Sequence, residues 1–99
     1  MYEIRLAESV KDDLEQVPAH YRGIILDAIE THLSHNPDQE TRRKKMLASL
    51  VPNFEAVPPV WQLRVGSYRV FYDVDAAEKI VYVRLVRKKP AHKTTEEIL

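Results

Sequence analysis

The stretch WQLRVGSYRVFYDVD, from Trp61 to Asp75, is the most informative part of this chain. It predicts a β-hairpin, because two runs rich in apolar side chains meet at a short Val-Gly-Ser turn. Arg64 lies just before the turn and Arg69 just after it. Two arginines near the centre of so short a hairpin are either solvated strand positions or residues that bind an anion.

Strand alternation assigns these side chains to the two faces of a sheet. In the strand predicted over residues 68–74, every second side chain from Tyr68 points to the core, so Arg69 points away from it. The same rule turns Arg64 outward from the preceding strand, predicted over residues 60–65. On the last strand, predicted over 79–87, the inward side chains are Val81, Val83 and Leu85. The predicted outward face carries Arg64, Arg69, Phe71, Tyr82 and Arg84, with Arg87, Lys88, Lys89, His92 and Lys93 at its rim.

The rest of the chain predicts a first strand, a helix hairpin and a long irregular segment. Residues 2–7 alternate, Ser9 is a predicted helix N-cap, and Pro18 suits the first turn of a second helix. That second helix is amphipathic and ends at Asn36-Pro37, with the core positions Tyr21, Ile25, Ile29 and Leu33. The segment 36–59 is irregular, although its apolar residues 46–51 are expected to hold it to the core as a short helix or strand.

These elements predict one domain over residues 1–99 with an α+β fold. We expect a small antiparallel sheet of about four strands, in the order β-α-α-β-β-β, with the helix hairpin on one face. The tail is polar and is expected to end in a helical turn at residues 95–99.

Composition favours a soluble protein and hides a charge asymmetry. The 99 residues are 44% hydrophobic and 30% charged, and they include no cysteine, which excludes disulfides and thiolate metal sites. No signal pattern or membrane span is present, so a cytoplasmic protein without membrane contact is expected. Residues 1–41 hold nine acidic and three basic side chains, whereas residues 42–99 hold six acidic and twelve basic ones. The basic half suits an anionic partner, although two oppositely charged halves of one fold would also attract each other.

Arginines mixed with exposed aromatic rings suit single-stranded nucleic acid, because guanidinium groups hold phosphates and rings stack on bases. A groove for a protein partner and an idle solvated face remain alternatives, and Asp73 or Glu78 would pair with the arginines in the latter case. The basic run of Arg42, Arg43, Lys44 and Lys45 is either an RNA-backbone contact or a solvated loop. His32 and His35 lack a third ligand, so no metal site is expected.

The hairpin, followed by KIVYVRLVRKK, resembles the RelE/ParE superfamily of bacterial and archaeal toxins from toxin–antitoxin pairs. The preceding strand and helix hairpin resemble it too. RelE-like members are ribosome-dependent, metal-independent endoribonucleases that cut messenger RNA, and ParE-like members inhibit DNA gyrase. Both are neutralised by a cognate antitoxin in a hetero-oligomer. The resemblance therefore implies an antitoxin partner, the ribosome and messenger RNA or else gyrase as target, and no cofactor.

The same resemblance implies a catalytic set of Arg64, Arg69, Lys89 and His92. Arg69 matches the arginine that contacts the scissile phosphate in RelE-like nucleases, and Lys89 falls near a basic position after the last strand. These nucleases commonly carry a tail tyrosine, but no tyrosine follows Tyr82 here. His92 is the tail residue that exchanges a proton near neutral pH. The expected function is that of an mRNA endoribonuclease, with a gyrase inhibitor and a catalytically silent antitoxin-binding member as alternatives.

Overall fold

The structure is a computed structural model that describes residues 1–99. Five strands and three helices follow one another in the order β1, α1, α2, β2, β3, β4, β5, α3. Their bounds are β1 Glu3–Leu6, α1 Glu8–Glu15, α2 Ala19–Leu33, β2 Lys44–Leu47, β3 Val60–Val65, β4 Tyr68–Asp75, β5 Ile80–Lys88 and α3 Thr95–Ile98.

All five strands form one sheet in the order β1-β5-β4-β3-β2. β2, β3, β4 and β5 pair antiparallel, whereas β1 pairs parallel with β5. The α+β class is confirmed, and so is the expected sequence of strand, helix hairpin and meander. Two details differ: β2 adds a fifth strand from the segment predicted to be irregular, and the parallel β1–β5 pair makes the sheet mixed.

The helix hairpin packs on one face of the sheet and forms the main core with it. Val10, Leu14 and Val17 from the first helix and its end are buried there, as is the apolar side of α2. Tyr21 was expected in this core, but its side chain lies at the rim of α2 and is 49% exposed. Ser9 is not the N-cap either, since α1 begins at Glu8 after the N-cap Ala7, and the Ser9 hydroxyl donates to the Arg84 carbonyl at 3.0 Å.

An irregularity in the β4–β5 ladder reverses the expected faces in the second half of β5. Phe71 is opposite Leu85, but the next residue, Tyr72, is opposite Val83, so Arg84 is the extra residue of a bulge. As a result Val86 joins the main core, and Leu85 points to the other side, where sequence alternation did not place it.

The sheet face turned away from α1 and α2, here called the distal face, is not fully open. Val60, Phe71 and Leu85 form a second, smaller apolar cluster on it. This cluster is covered from two directions, by the segment that follows β2 and by the C-terminal tail, through Leu47, Leu50, Phe54, Ala56, Ile98 and Leu99. The tail is fixed by a hydrogen bond from the Thr95 hydroxyl to Gln62 Oε1 at 2.7 Å. The part of the distal face near the β3–β4 turn lies outside this cover, and Arg64 is exposed there.

Candidate phosphate-binding site

Arg64 and Arg69 lie directly opposite each other on β3 and β4, and Arg69 is in turn opposite Arg87 on β5. Opposed residues of an antiparallel pair point to the same face and have Cβ atoms about 5 Å apart. Like charges in this position are destabilising. The hairpin therefore places positive charge on the distal face at a cost in stability.

Arg64 and Arg69 form no ion pair with a carboxylate. Arg69 Nη1 donates to the carbonyl oxygens of Gly66 and Tyr68, each at 2.9 Å, so its guanidinium is held at the hairpin turn. Partial burial lowers the pKa of Arg69, and the charge of Arg64 lowers it further. Arginine nevertheless stays protonated at neutral pH. The pair is thus a double positive charge without a carboxylate partner, with Arg69 held at the turn and Arg64 exposed, and it suits an anion.

The turn at Gly66 makes this geometry possible. Gly66 has a φ of +59°, in the left-handed region that side chains other than glycine rarely adopt. The carbonyl that accepts from Arg69 belongs to the same glycine. One residue thus reverses the chain and orients the arginine.

The basic rim after β5 begins beside the same turn. The Lys89 N–H donates to the Ser67 carbonyl at 2.7 Å, which places Lys89 next to the arginine pair. His92 and Lys93 lie in the exposed turn that precedes α3, and Lys88 is exposed at the end of β5. The structure therefore holds the Lys89 backbone at the hairpin turn between Arg64 and Arg69, and leaves His92 on an exposed turn three residues further along the chain.

Phe71 and Tyr82 are not free stacking platforms. Phe71 was expected on an open face, but it is fully buried, with its ring 6.3 Å from that of Phe54. The Tyr82 ring is partly buried and has two guanidinium groups over it, those of Arg84 at 4.8 Å and Arg5 at 6.0 Å. Base stacking on this face is therefore not supported by either ring.

Arg84 belongs to a buried ion pair and not to an exposed surface. Its Nε donates to Asp73 Oδ2 at 2.6 Å and its Nη2 to Oδ1 at 3.2 Å, a two-pronged contact. The side chains of Arg84 and Asp73 are only 14% and 4% exposed. Asp73 also accepts from the Val57 N–H at 3.2 Å, which ties the segment after β2 to the sheet. Of the two sequence interpretations for this arginine, pairing with Asp73 is the observed one.

Lys44 differs from its neighbours in the basic run in the position of its side chain. Its side chain is buried, and its Nζ donates to the carbonyls of Asn36 at 2.8 Å and His32 at 3.2 Å, at the C-terminal end of α2. Burial lowers the pKa of Lys44. The expectation that Lys44 contacts RNA is therefore wrong, whereas Arg42, Arg43 and Lys45 are exposed.

Asp13 has a role that the sequence interpretation missed. Its Oδ1 accepts from Arg87 Nη1 at 2.8 Å and its Oδ2 from the Val86 N–H at 3.0 Å. These contacts supply partners on the edge of β5 past the residues that pair with β1. No local sequence pattern around a carboxylate on a helix indicates a partner that lies 73 residues away in the chain.

The described chain has no cluster of three or more potential metal ligands, and none of its helices is long and apolar enough to span a membrane. Both findings concern residues 1–99.

Comparison with known proteins gives one family and several similar structures. A family model described as the ParE toxin of the type II toxin–antitoxin system parDE matches residues 4–89. No curated protein matches the chain.

Three solved structures are similar over most of their length. The RelBE2 toxin–antitoxin complex of Mycobacterium tuberculosis has a TM-score of 0.69 at 22% identity, over 89% of this chain and 98% of that one. The archaeal RelE–RelB complex of Pyrococcus horikoshii has a TM-score of 0.69 at 19% identity, over 93% and 98%. The isolated RelE toxin of E. coli has a TM-score of 0.67 at 15% identity, over 98% and 94%. At these identities the likeness concerns the fold.

Proposed function

Since the chain belongs to the RelE/ParE superfamily of toxins from type II toxin–antitoxin systems, we propose that it is a ribosome-dependent, metal-independent mRNA endoribonuclease. The observation that carries this proposal is the opposed pair of Arg64 and Arg69, two positive charges without a carboxylate partner on the accessible part of the distal face. A phosphodiester offers the charge and the oxygen geometry that two guanidinium groups recognise.

Cleavage without metal would proceed by attack of the RNA 2′-oxygen on the adjacent phosphorus and departure of the 5′-oxygen. This requires a base for the 2′-hydroxyl, positive charge for the phosphorane and an acid for the leaving oxygen. Arg64 and Arg69 supply the charge, because a guanidinium group is a poor proton donor and stays positive. Proton transfer is assigned to His92 on the exposed turn before α3 and to Lys89, whose backbone is bonded to the hairpin turn, with messenger RNA on the ribosome bringing the reacting groups together.

The partner of the toxin would be a cognate antitoxin. Two of the similar structures are complexes with an antitoxin, namely RelBE2 and archaeal RelE–RelB. A basic, unpaired arginine site is neutralised most directly by an acidic antitoxin segment.

Inhibition of DNA gyrase is the second candidate function. Two observations favour it: the matching family model describes a ParE toxin, and no tyrosine follows Tyr82 in the tail. A member that only binds its antitoxin is the remaining alternative from the sequence. The target of the toxin therefore has to be measured.

The test is inducible expression of the wild type and of Arg69→Ala, with mapping of messenger RNA ends in the ribosome-bound fraction. We expect new 5′ ends and growth arrest for the wild type, and at least a hundredfold loss of cleavage rate for Arg69→Ala, as for other contacts made to a transition state. Arg5→Ala is the control, because it removes the same charge from β1, where Arg5 pairs with Glu3.

The outcomes separate the candidates. Growth arrest without new RNA ends, accompanied by loss of gyrase supercoiling activity, would establish gyrase inhibition instead. Normal growth at confirmed soluble expression would favour the silent member. Arg69→Ala that cleaves like the wild type would show that the arginine pair is not the catalytic site.

A further inference from the structure

A third arginine continues the row formed by Arg64 and Arg69. The Arg64 N–H donates to the Arg43 carbonyl at 2.8 Å, one residue before the first pair of the β2–β3 ladder, Lys44 opposite Leu63. Extending this register by one residue sets Arg43 opposite Arg64, which is itself opposite Arg69. The residue that precedes β2 thus continues the row formed by Arg64 on β3 and Arg69 on β4.

Burial of the neighbouring pair assigns the row to the distal face. Leu63 is fully buried in the main core beneath the helices, and Lys44 opposite it is buried against the end of α2. Consecutive strand residues point to opposite faces. Alternation extended by one residue before β2 therefore assigns the Arg43 side chain to the distal face, together with Arg64.

The backbone at Arg43 is fixed although its side chain is exposed. Thr41 Oγ1 accepts from the N–H groups of Arg43 at 3.2 Å and Lys44 at 3.1 Å, and the Arg43 carbonyl is held by β3. Arg43 forms no ion pair with a carboxylate. The charge at this end of the row is as uncompensated as the charge at Arg64 and Arg69.

At its other end, on β5, the row of arginines meets a carboxylate. Arg87 lies opposite Arg69 on β5, but its guanidinium pairs with Asp13 at 2.8 Å. Asp13 thus neutralises the fourth arginine. The free positive charge begins at Arg69 and runs toward β2.

We propose that Arg43, Arg64 and Arg69 form a track for consecutive phosphates of one RNA strand, which crosses the strands of the sheet from the turn of the β3–β4 hairpin to the β2 edge. This inference rests on the proposed function and adds a subsite to it. Neighbouring strands lie about 4.8 Å apart, so the three Cα positions span roughly 10 Å. The long arginine side chains can reach beyond this span. Arg43 therefore holds a phosphate of the RNA that lies further along the RNA strand than the phosphate at Arg69.

The salt dependence of binding tests the track. Binding of a fluorescent, non-cleavable 2′-O-methyl oligouridylate is measured by anisotropy at several salt concentrations. Each phosphate contact to a single strand contributes about 0.7 to the slope of log K against log salt. We expect Arg43→Ala and Arg69→Ala each to lower the slope by about 0.7, Arg43→Lys to retain it, and Arg5→Ala to leave it unchanged. Thermal melting of each variant checks that it is folded.

The binding experiment distinguishes an error in the proposed track from an error in the proposed function. If Arg69→Ala lowers the slope and Arg43→Ala does not, the track is wrong and the nuclease site stands. If Arg5→Ala lowered the slope as much as Arg43→Ala, the slope would report only the overall charge of the protein, and the track would be overturned. A wild type that binds the oligonucleotide no better than Arg69→Ala would overturn the track, whereas the nuclease proposal is overturned only by the absence of new RNA ends in the ribosome-bound fraction. Arg43-dependent binding of an acidic peptide, with none of RNA, would assign the row to a protein partner.

Discussion

Arginine side chains of identical charge have different roles in this fold because their neighbours differ. Arg84 and Arg87 meet carboxylates, of Asp73 and Asp13, and are structural in these contacts. Arg64 and Arg69 lie opposite each other without a carboxylate partner, and Arg69 donates only to backbone carbonyls. The presence or absence of an acidic partner, and not the arginine itself, distinguishes a stabilising residue from a candidate ligand contact.

The buried pair gives a prediction at this scale. Arg84→Ala leaves the Asp73 carboxylate buried without its partner, which typically costs about 3–5 kcal/mol of the free energy of unfolding. We expect a loss of that size in denaturant unfolding. The double variant Asp73→Leu/Arg84→Met, which removes both charges, should lose less. The prediction fails if Arg84→Ala unfolds like the wild type and instead abolishes toxicity, since Arg84 would then be a functional contact.

At the scale of a single element, the basic run of residues 42–45 contains one buried structural side chain and three exposed ones. In the short strand β2, Lys44 turns inward to the carbonyls at the end of α2, while Lys45 and the preceding Arg43 are exposed. A helix end leaves its last carbonyls without partners, and a lysine ammonium supplies donors for two of them here. One strand of four residues thereby joins the helix layer to the sheet edge.

This division predicts unequal effects of neighbouring lysines on stability. Lys44→Ala removes the donor to the His32 and Asn36 carbonyls, and we expect a loss of about 1–3 kcal/mol in the free energy of unfolding. Lys45→Ala is the matched control, because its side chain is exposed, and should change that free energy by less than about 0.5 kcal/mol. Equal effects of the two substitutions in urea unfolding would contradict the assigned roles.

In the whole molecule, the order β1-β5-β4-β3-β2 places the middle of the meander at the centre of the sheet. β4 and β5 pair on both sides and bury residues on both faces, in the main core and in the cluster around Phe71. The segment after β2 and the C-terminal tail are held by isolated hydrogen bonds and a few apolar contacts. Stability is therefore concentrated in the central strands.

Hydrogen exchange would show this distribution. We expect the slowest amides in β4 and in the part of β5 that pairs with β1, because they open only when the whole domain unfolds. Amides of residues 48–57 and 90–94 should exchange fastest. The assignment would be wrong if amides of residues 48–57 were protected as strongly as those of β4, since the segment would then be part of the central unit.

Much of the fold follows from local patterns in the sequence. The hairpin, the long amphipathic helix and the last strand are each marked by periodic apolar residues and by turn residues, which act over short distances. The same alternation assigned Arg64 and Arg69 to the face opposite the helices. It also separated the inward residues of β3 from the outward ones.

Only the tertiary structure decided which charges are free and which are paired. A bulge at Arg84 reversed Leu85 and Val86, the tail and the segment after β2 covered Phe71, and Asp13 reached Arg87 from α1. These contacts join residues far apart in the chain, so no local pattern marks them. The arginine row depends on strand register in the same way, because three positions separated by up to 26 residues become neighbours only when the ladders form.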